Sequence, residues 1–123
     1  MIASVRRRFA LIACVLPSLA ACSSPSAHER TVSTELAAID PLKKTYSGVL
    51  MGFDVRGETT LLASLDLQAY IGTDDDTDTA MRRAVVEGWR RAWAAAHPNA
   101  HATLHILFID FTGRTIAEKT TAV

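Results

Sequence analysis

His101-Ala102-Thr103-Leu104-His105-Ile106-Leu107-Phe108-Ile109-Asp110-Phe111 is the stretch on which the fold turns. Leu104, Ile106 and Phe108 recur at the two-residue period of an extended strand, so they share one face. The opposite face carries His101, Thr103 and His105 at one end and Leu107, Ile109 and Phe111 at the other. Over its second half this strand is apolar on both sides, and a sheet built around it needs cover on more than one face.

Downstream, Thr112-Gly113 predicts a tight turn, and Arg114 to Thr121 a polar returning strand suited to a sheet edge. Upstream, Pro98-Asn99 stops a helix that starts after the acidic turn Thr73-Asp74-Asp75-Asp76-Thr77-Asp78 and runs to about His97. At 100° per residue, Met81, Ala84, Val85, Gly88, Trp89, Ala92, Trp93 and Ala96 fall on one arc of it. Arg83, Glu87, Arg90 and Arg91 fall opposite, with Glu87 spaced to pair with Arg91. Further upstream, Val49, Met51, Phe53 and Val55 alternate up to Arg56-Gly57-Glu58. Alternation resumes as Leu61, Ala63, Leu65, Leu67, Ala69 and Ile71, which predicts a β-hairpin.

The expected fold is α+β in the order β-β-α-β-β, a small antiparallel four-stranded sheet with one amphipathic helix across one face. One helix cannot cover both faces. Leu107, Ile109 and Phe111, joined by Leu50, Leu62 and Tyr70, are then expected as an exposed apolar patch, the kind of surface that marks a contact site. The alternative is that a short helix around Ser33 to Ile39, bearing Leu36 and Ile39, folds back over the patch.

The N-terminus has a different character. Arg6-Arg7-Arg8 precede an apolar run from Phe9, too short for the roughly 20 residues of a membrane span, and the run closes on Leu19-Ala20-Ala21-Cys22. This segment resembles a bacterial lipoprotein signal peptide, whose lipobox has Leu, two small residues and Cys. The resemblance covers residues 1–22 and implies removal of residues 1–21, with Cys22 acylated to hold the chain on a membrane. Ser23, in place of the Asp that retains such proteins in the inner membrane, implies the outer membrane of a Gram-negative cell, facing the periplasm. The expected units are the leader 1–21, a lipidated flexible tether 22–44 reaching on the order of 25 Å, and an α+β domain 45–123.

With Cys14 in the leader and Cys22 lipidated, neither disulfide nor free thiol is expected in the domain. The chain has 13 basic and 13 acidic residues; losing Arg6, Arg7 and Arg8 leaves ten against thirteen, about −3, which argues against nucleic acid as partner. Asp74, Asp76 and Asp78 have the opening spacing of a calcium loop, but Thr79 stands where its Gly belongs and Val85 where its Glu belongs. Pro98 breaks the helix that would stack His97, His101 and His105 on one metal. Arg82, Arg83, Arg90 and Arg91 are candidates to meet lipid phosphates or an acidic partner, against the plainer reading of Arg83, Glu87, Arg90 and Arg91 as a solvated face. Asp66 and Asp110, on predicted strands, are the candidates for an acid-base pair, with no nucleophile elbow, metalloprotease motif or phosphate loop anywhere in the chain.

These readings converge on a membrane-tethered binding or adaptor module that meets another envelope protein or a second copy of itself. No enzymatic role, metal or cofactor is expected. A sensor or carrier for a small ligand, cation or lipid is the alternative, and an inhibitor of an envelope-targeting enzyme a third.

Overall fold

The computed structural model describes residues 24–123. The leader, Cys14 and Leu19-Ala20-Ala21-Cys22 lie outside the described residues. Along the rest, the helices are α1 (Ala27–Ile39), α2 (Leu42–Thr45), α3 (Leu67–Ile71) and α4 (Asp75–Ala96). The strands are β1 (Leu50–Arg56), β2 (Thr60–Leu65), β3 (Thr103–Ile109) and β4 (Thr115–Ala122). The class is α+β, with one four-stranded sheet in the order β1-β2-β3-β4.

That sheet is mixed, which corrects the antiparallel expectation. β1 pairs with β2 and β3 with β4 antiparallel, but β2 and β3 run parallel, with Leu61 beside Ile106 and Ala63 beside Phe108. The physical reason is α4. Its 22 residues span about 33 Å at 1.5 Å per residue, enough to carry the chain from the end of β2 back past its beginning. The next strand therefore starts where β2 started, as parallel neighbours require.

The second strand is shorter than its alternation predicts. It ends at Leu65; Asp66 then accepts the Ala69 backbone N–H at 2.9 Å through Oδ1 and caps α3. Local capping wins over two-residue periodicity because Leu67, Ala69 and Ile71 have no adjacent strand to pair with beyond Leu65.

The flexible tether is likewise corrected for the described residues. Ser26 and Glu29 form a reciprocal capping box, with the Glu29 N–H donating to Ser26 Oγ at 3.1 Å and the Ser26 N–H to Glu29 Oε2 at 3.3 Å, so the helix starts at Ala27 rather than Ser33. Ile39 on α1 joins the core formed by Met81, Val85, Trp89 and Trp93 of α4 with Leu50, Leu61, Ala63, Leu65, Leu104, Ile106 and Phe108 of the sheet. Gly88 allows this approach: a Cβ there would stand 3.2 Å from Ile39 Cγ2. Helix α1 folds back, but beside α4 on the already covered side of the sheet. Two helices cover one face where one was expected, and the other face stays bare of helix among the described residues.

Both sheet edges are guarded. β1 carries a bulge between Leu50 and Gly52, and β4 one opposite Phe108 and Ile109. Lys119, opposite Ile106, puts a charge on the covered side of β4 beside Arg82 and Arg83 of α4. Bulges and inward charges oppose edge-to-edge pairing.

Candidate functional site

The expected patch splits into two. Leu62 and Leu107 are partners across the parallel ladder, and Ile109 follows opposite Ser64, so the three share the uncovered face. Leu62 is only 6 % exposed, closed over by its neighbours on that face, and Leu107 and Ile109 are half-buried. Asp54, His105 and Glu118 surround them. Leu50 and Tyr70 do not join this patch. Leu50 lies in the core, and Tyr70, on α3, packs against the core and donates its hydroxyl to Asp78 Oδ2 at 3.2 Å. Burial, then the nearby Asp78 carboxylate, pushes the Tyr70 phenol pKa up.

The sixth residue, Phe111, stands beyond β3 in the turn to β4 and is 91 % exposed. Its exposure is built in. Asp110 Oδ1 accepts from the Thr112 hydroxyl at 2.6 Å, the Thr112 N–H at 2.9 Å and the Arg114 N–H at 3.0 Å, and Gly113 supplies a positive φ of 87°. These bonds, the Thr112 hydroxyl first, hold the Asp110 carboxyl below its usual pKa. A phenyl ring on a turn fixed in this way cannot relax inward.

Around Phe111 lies an apolar groove of about 600 Å³, lined by Met51, Leu65, Leu67 and Ile71 with Ser64, Asp66 and Gln68. Three of these escaped the sequence reading as contact residues: Leu67 (38 % exposed), Met51 (58 %) and Ile71 (73 %). The signal was present but misassigned, because Met51, Leu67 and Ile71 sit in runs that read as core-facing strand positions. The bulge beside Met51 and helix α3 turn them outward.

The candidate metal and acid-base residues are occupied locally. Asp74 caps α4 through the Thr77 N–H at 3.0 Å, the Thr77 hydroxyl and then that N–H lower its pKa, and Asp78 Oδ1 accepts from Arg82 Nε at 3.1 Å. Asp66 caps α3 and Asp110 holds its turn. Among the described residues no three His, Cys, Asp or Glu side chains gather as a metal site. His101 Nδ1 lies 3.2 Å from the Val123 carbonyl, and His105 is exposed on the uncovered face. Glu87 approaches Arg90 at 3.8 Å instead of Arg91, and Arg90 Nε also donates to the Ala122 carbonyl.

One buried charge went unforeseen. Glu35 on α1 is 2 % exposed, with Oε1 3.5 Å from His97 Nδ1. His97 stacks on Trp93 at 4.1 Å, and its Nδ1 lies 3.0 Å from the Trp93 carbonyl, which can only accept, so that nitrogen carries the proton. Burial raises the Glu35 pKa; the Trp89 indole, His97 and His28 draw it partly back. Glu35 Oε2 and Trp89 Nε1 each lack a hydrogen bond of ordinary geometry. No described helix is long and apolar enough to cross a membrane. No family model, curated protein or solved structure matches the chain.

Proposed function

We propose that this chain is a lipid-anchored envelope protein of a Gram-negative bacterium, held through Cys22 on the outer membrane and facing the periplasm. Its α+β domain acts as a binding or adaptor module rather than an enzyme. The observation that carries the binding role is Phe111, displayed on a turn locked by Asp110 as part of the lining of an apolar groove. Guarded edges favour a partner docking on a surface over one extending the sheet. The partner is an envelope protein, with self-association as the other form of the same role and no part for nucleic acid.

Two experiments test this reading. Radiolabelled palmitate should enter the wild-type protein and not Cys22→Ser, and the variant should lose its membrane fraction; equal partitioning of the two rejects the anchor. Replacing Phe111 and Ile71 by Ser should release the partner from a folded domain, and full retention rejects the docking role.

The alternative, a small-ligand carrier, draws on the groove volume, which lies in the range of small-molecule sites. Such sites bury most of their ligand. A groove whose walls include side chains 73 % and 91 % exposed is better suited to a macromolecular surface. Native mass spectrometry of the purified protein separates the two, since only a carrier retains a small-molecule adduct.

A further inference from the structure

We propose that the groove around Phe111 is a membrane-distal docking site for an apolar protein segment flanked by Lys or Arg. The proposal rests on the adaptor reading and adds where on the domain the partner binds and what chemistry it presents.

Position comes first. The start of α1 lies at the pole of the β1–β2 turn: His28 shares a surface depression with Val55, and Ala27 another with Ala96 at the far end of α4. The groove lies at the other pole, where β2 ends at Leu65 and β3 at Ile109. A seven-residue strand separates the poles by about 23 Å at 3.3 Å per residue. From Cys22 to the Ser26 cap the chain spans at most about 14 Å over four residues. An anchor that short keeps the α1 pole against the bilayer and turns the groove away from it, so the supporting membrane is not its occupant.

A second copy fits no better. Copies anchored in one leaflet point their distal poles the same way, and the poles cannot meet face to face. A two-fold contact through this patch would also set like charges against each other, because it places the same surface on both sides.

Those charges identify the partner. Asp66 is the single charged residue lining the groove. Asp74, Asp75 and Asp76, all exposed, follow Ile71 across the Gly72-Thr73 turn. Against these four carboxylates stand Lys44 and Arg114, the exposed basic residues in the segments entering and leaving this pole; Lys43 is already paired with Asp40. An apolar floor with Asp66 on its wall, and an exposed acidic turn beginning three residues after Ile71, selects a segment whose large apolar side chains enter beside Phe111 while its flanking cations meet these carboxylates.

The test is site-specific photo-crosslinking of the full-length lipidated protein in intact cells. The photoreactive residue is placed at Phe111 or Ile71 on the groove, at Leu107 on the uncovered sheet face, or at Arg56 on the membrane-side pole. Adducts at Phe111 and Ile71 should map by mass spectrometry to an apolar protein segment with Lys or Arg within a few residues. Combining Asp75→Lys with Asp76→Lys should lower the Phe111 adduct yield about fivefold or more; both residues also face the positive end of α4, so the yield is read well below the melting temperature, which the reversal lowers by a few degrees. At Phe111 or Ile71, an adduct to lipid, to a second copy or to an acidic segment overturns the proposal, as does a yield indifferent to the charge reversal. Adducts confined to Leu107 overturn it and leave the adaptor reading standing; adducts at none of the positions remove both.

Discussion

The two poles of this domain use similar side chains to opposite ends. At the α1 pole the aromatic and ionisable groups turn inward. Trp93 donates its indole N–H to the Glu58 carbonyl at 2.9 Å and so ties the β1–β2 turn to α4, His97 stacks on Trp93, and Glu35 is sealed between α1 and α4. At the groove pole Phe111, Ile71 and Met51 turn outward, and the local hydrogen bonds of Asp66 and Asp110 hold backbone rather than covering apolar surface. The contrast separates groups that stabilise the fold from groups whose exposure the proposed docking role explains. Substitutions at the first pole should change stability, and those at the second should change binding.

The largest expected effect is Trp93→Ala. It removes a buried ring, the bond to Glu58 and the His97 stack, and should cost about 3–5 kcal/mol in urea unfolding. A loss below about 1 kcal/mol would mean that the α1 pole is not closed as described.

Next comes Glu35→Gln. The folded-state pKa of Glu35 is raised, so the folded protein holds that proton more tightly than the unfolded chain. Stability from this group is therefore fully present below the unfolded value near 4.5 and is lost as pH rises through the raised folded value. Relative to Glu35→Gln, the wild type should weaken as pH rises through that window; parallel stability curves would show that burial does not dominate at Glu35.

Asp110→Ala should act more mildly and with the opposite sign in pH. Its folded pKa is lowered, so the stability it contributes is present above about 3.8 and disappears as pH falls through the lowered value. The variant should show a weaker acid transition than the wild type, together with broadened amide signals over 110–114 by NMR.

The smallest stability change belongs to Phe111→Ser, within about 0.5 kcal/mol of wild type, because a side chain this exposed contributes little to the core. A drop of several degrees in melting temperature would place Phe111 in the fold and undo the contrast between the poles.

Much of the architecture could be read residue by residue. The Leu104, Ile106 and Phe108 face, the hairpin around Gly57 and the buried arc Met81, Val85, Trp89 and Trp93 stand where their periodicities put them. Ser26-Ala27-His28-Glu29 carries the start of α1 openly, but the surrounding small polar residues resemble linker. Leu67, Ala69 and Ile71 suit a strand and a helix equally, because five residues are too few to separate the two periods. Of the expected patch, Leu62, Leu107, Ile109 and Phe111 stand on or beside uncovered surface, while Tyr70 is drawn in by Asp78.

What the sequence by itself determined is local: where strands and helices begin, which faces are apolar, and the lipobox-like end at Cys22. Periodicity and capping act within a few residues, so they leave their mark in order along the chain. Only the tertiary structure decided that β2 and β3 run parallel, that α1 joins α4 on the covered face, and that Met51, Leu67, Ile71 and Phe111 meet at one pole. Those outcomes depend on the length of α4 and the close approach at Gly88, which bring together residues far apart in the chain.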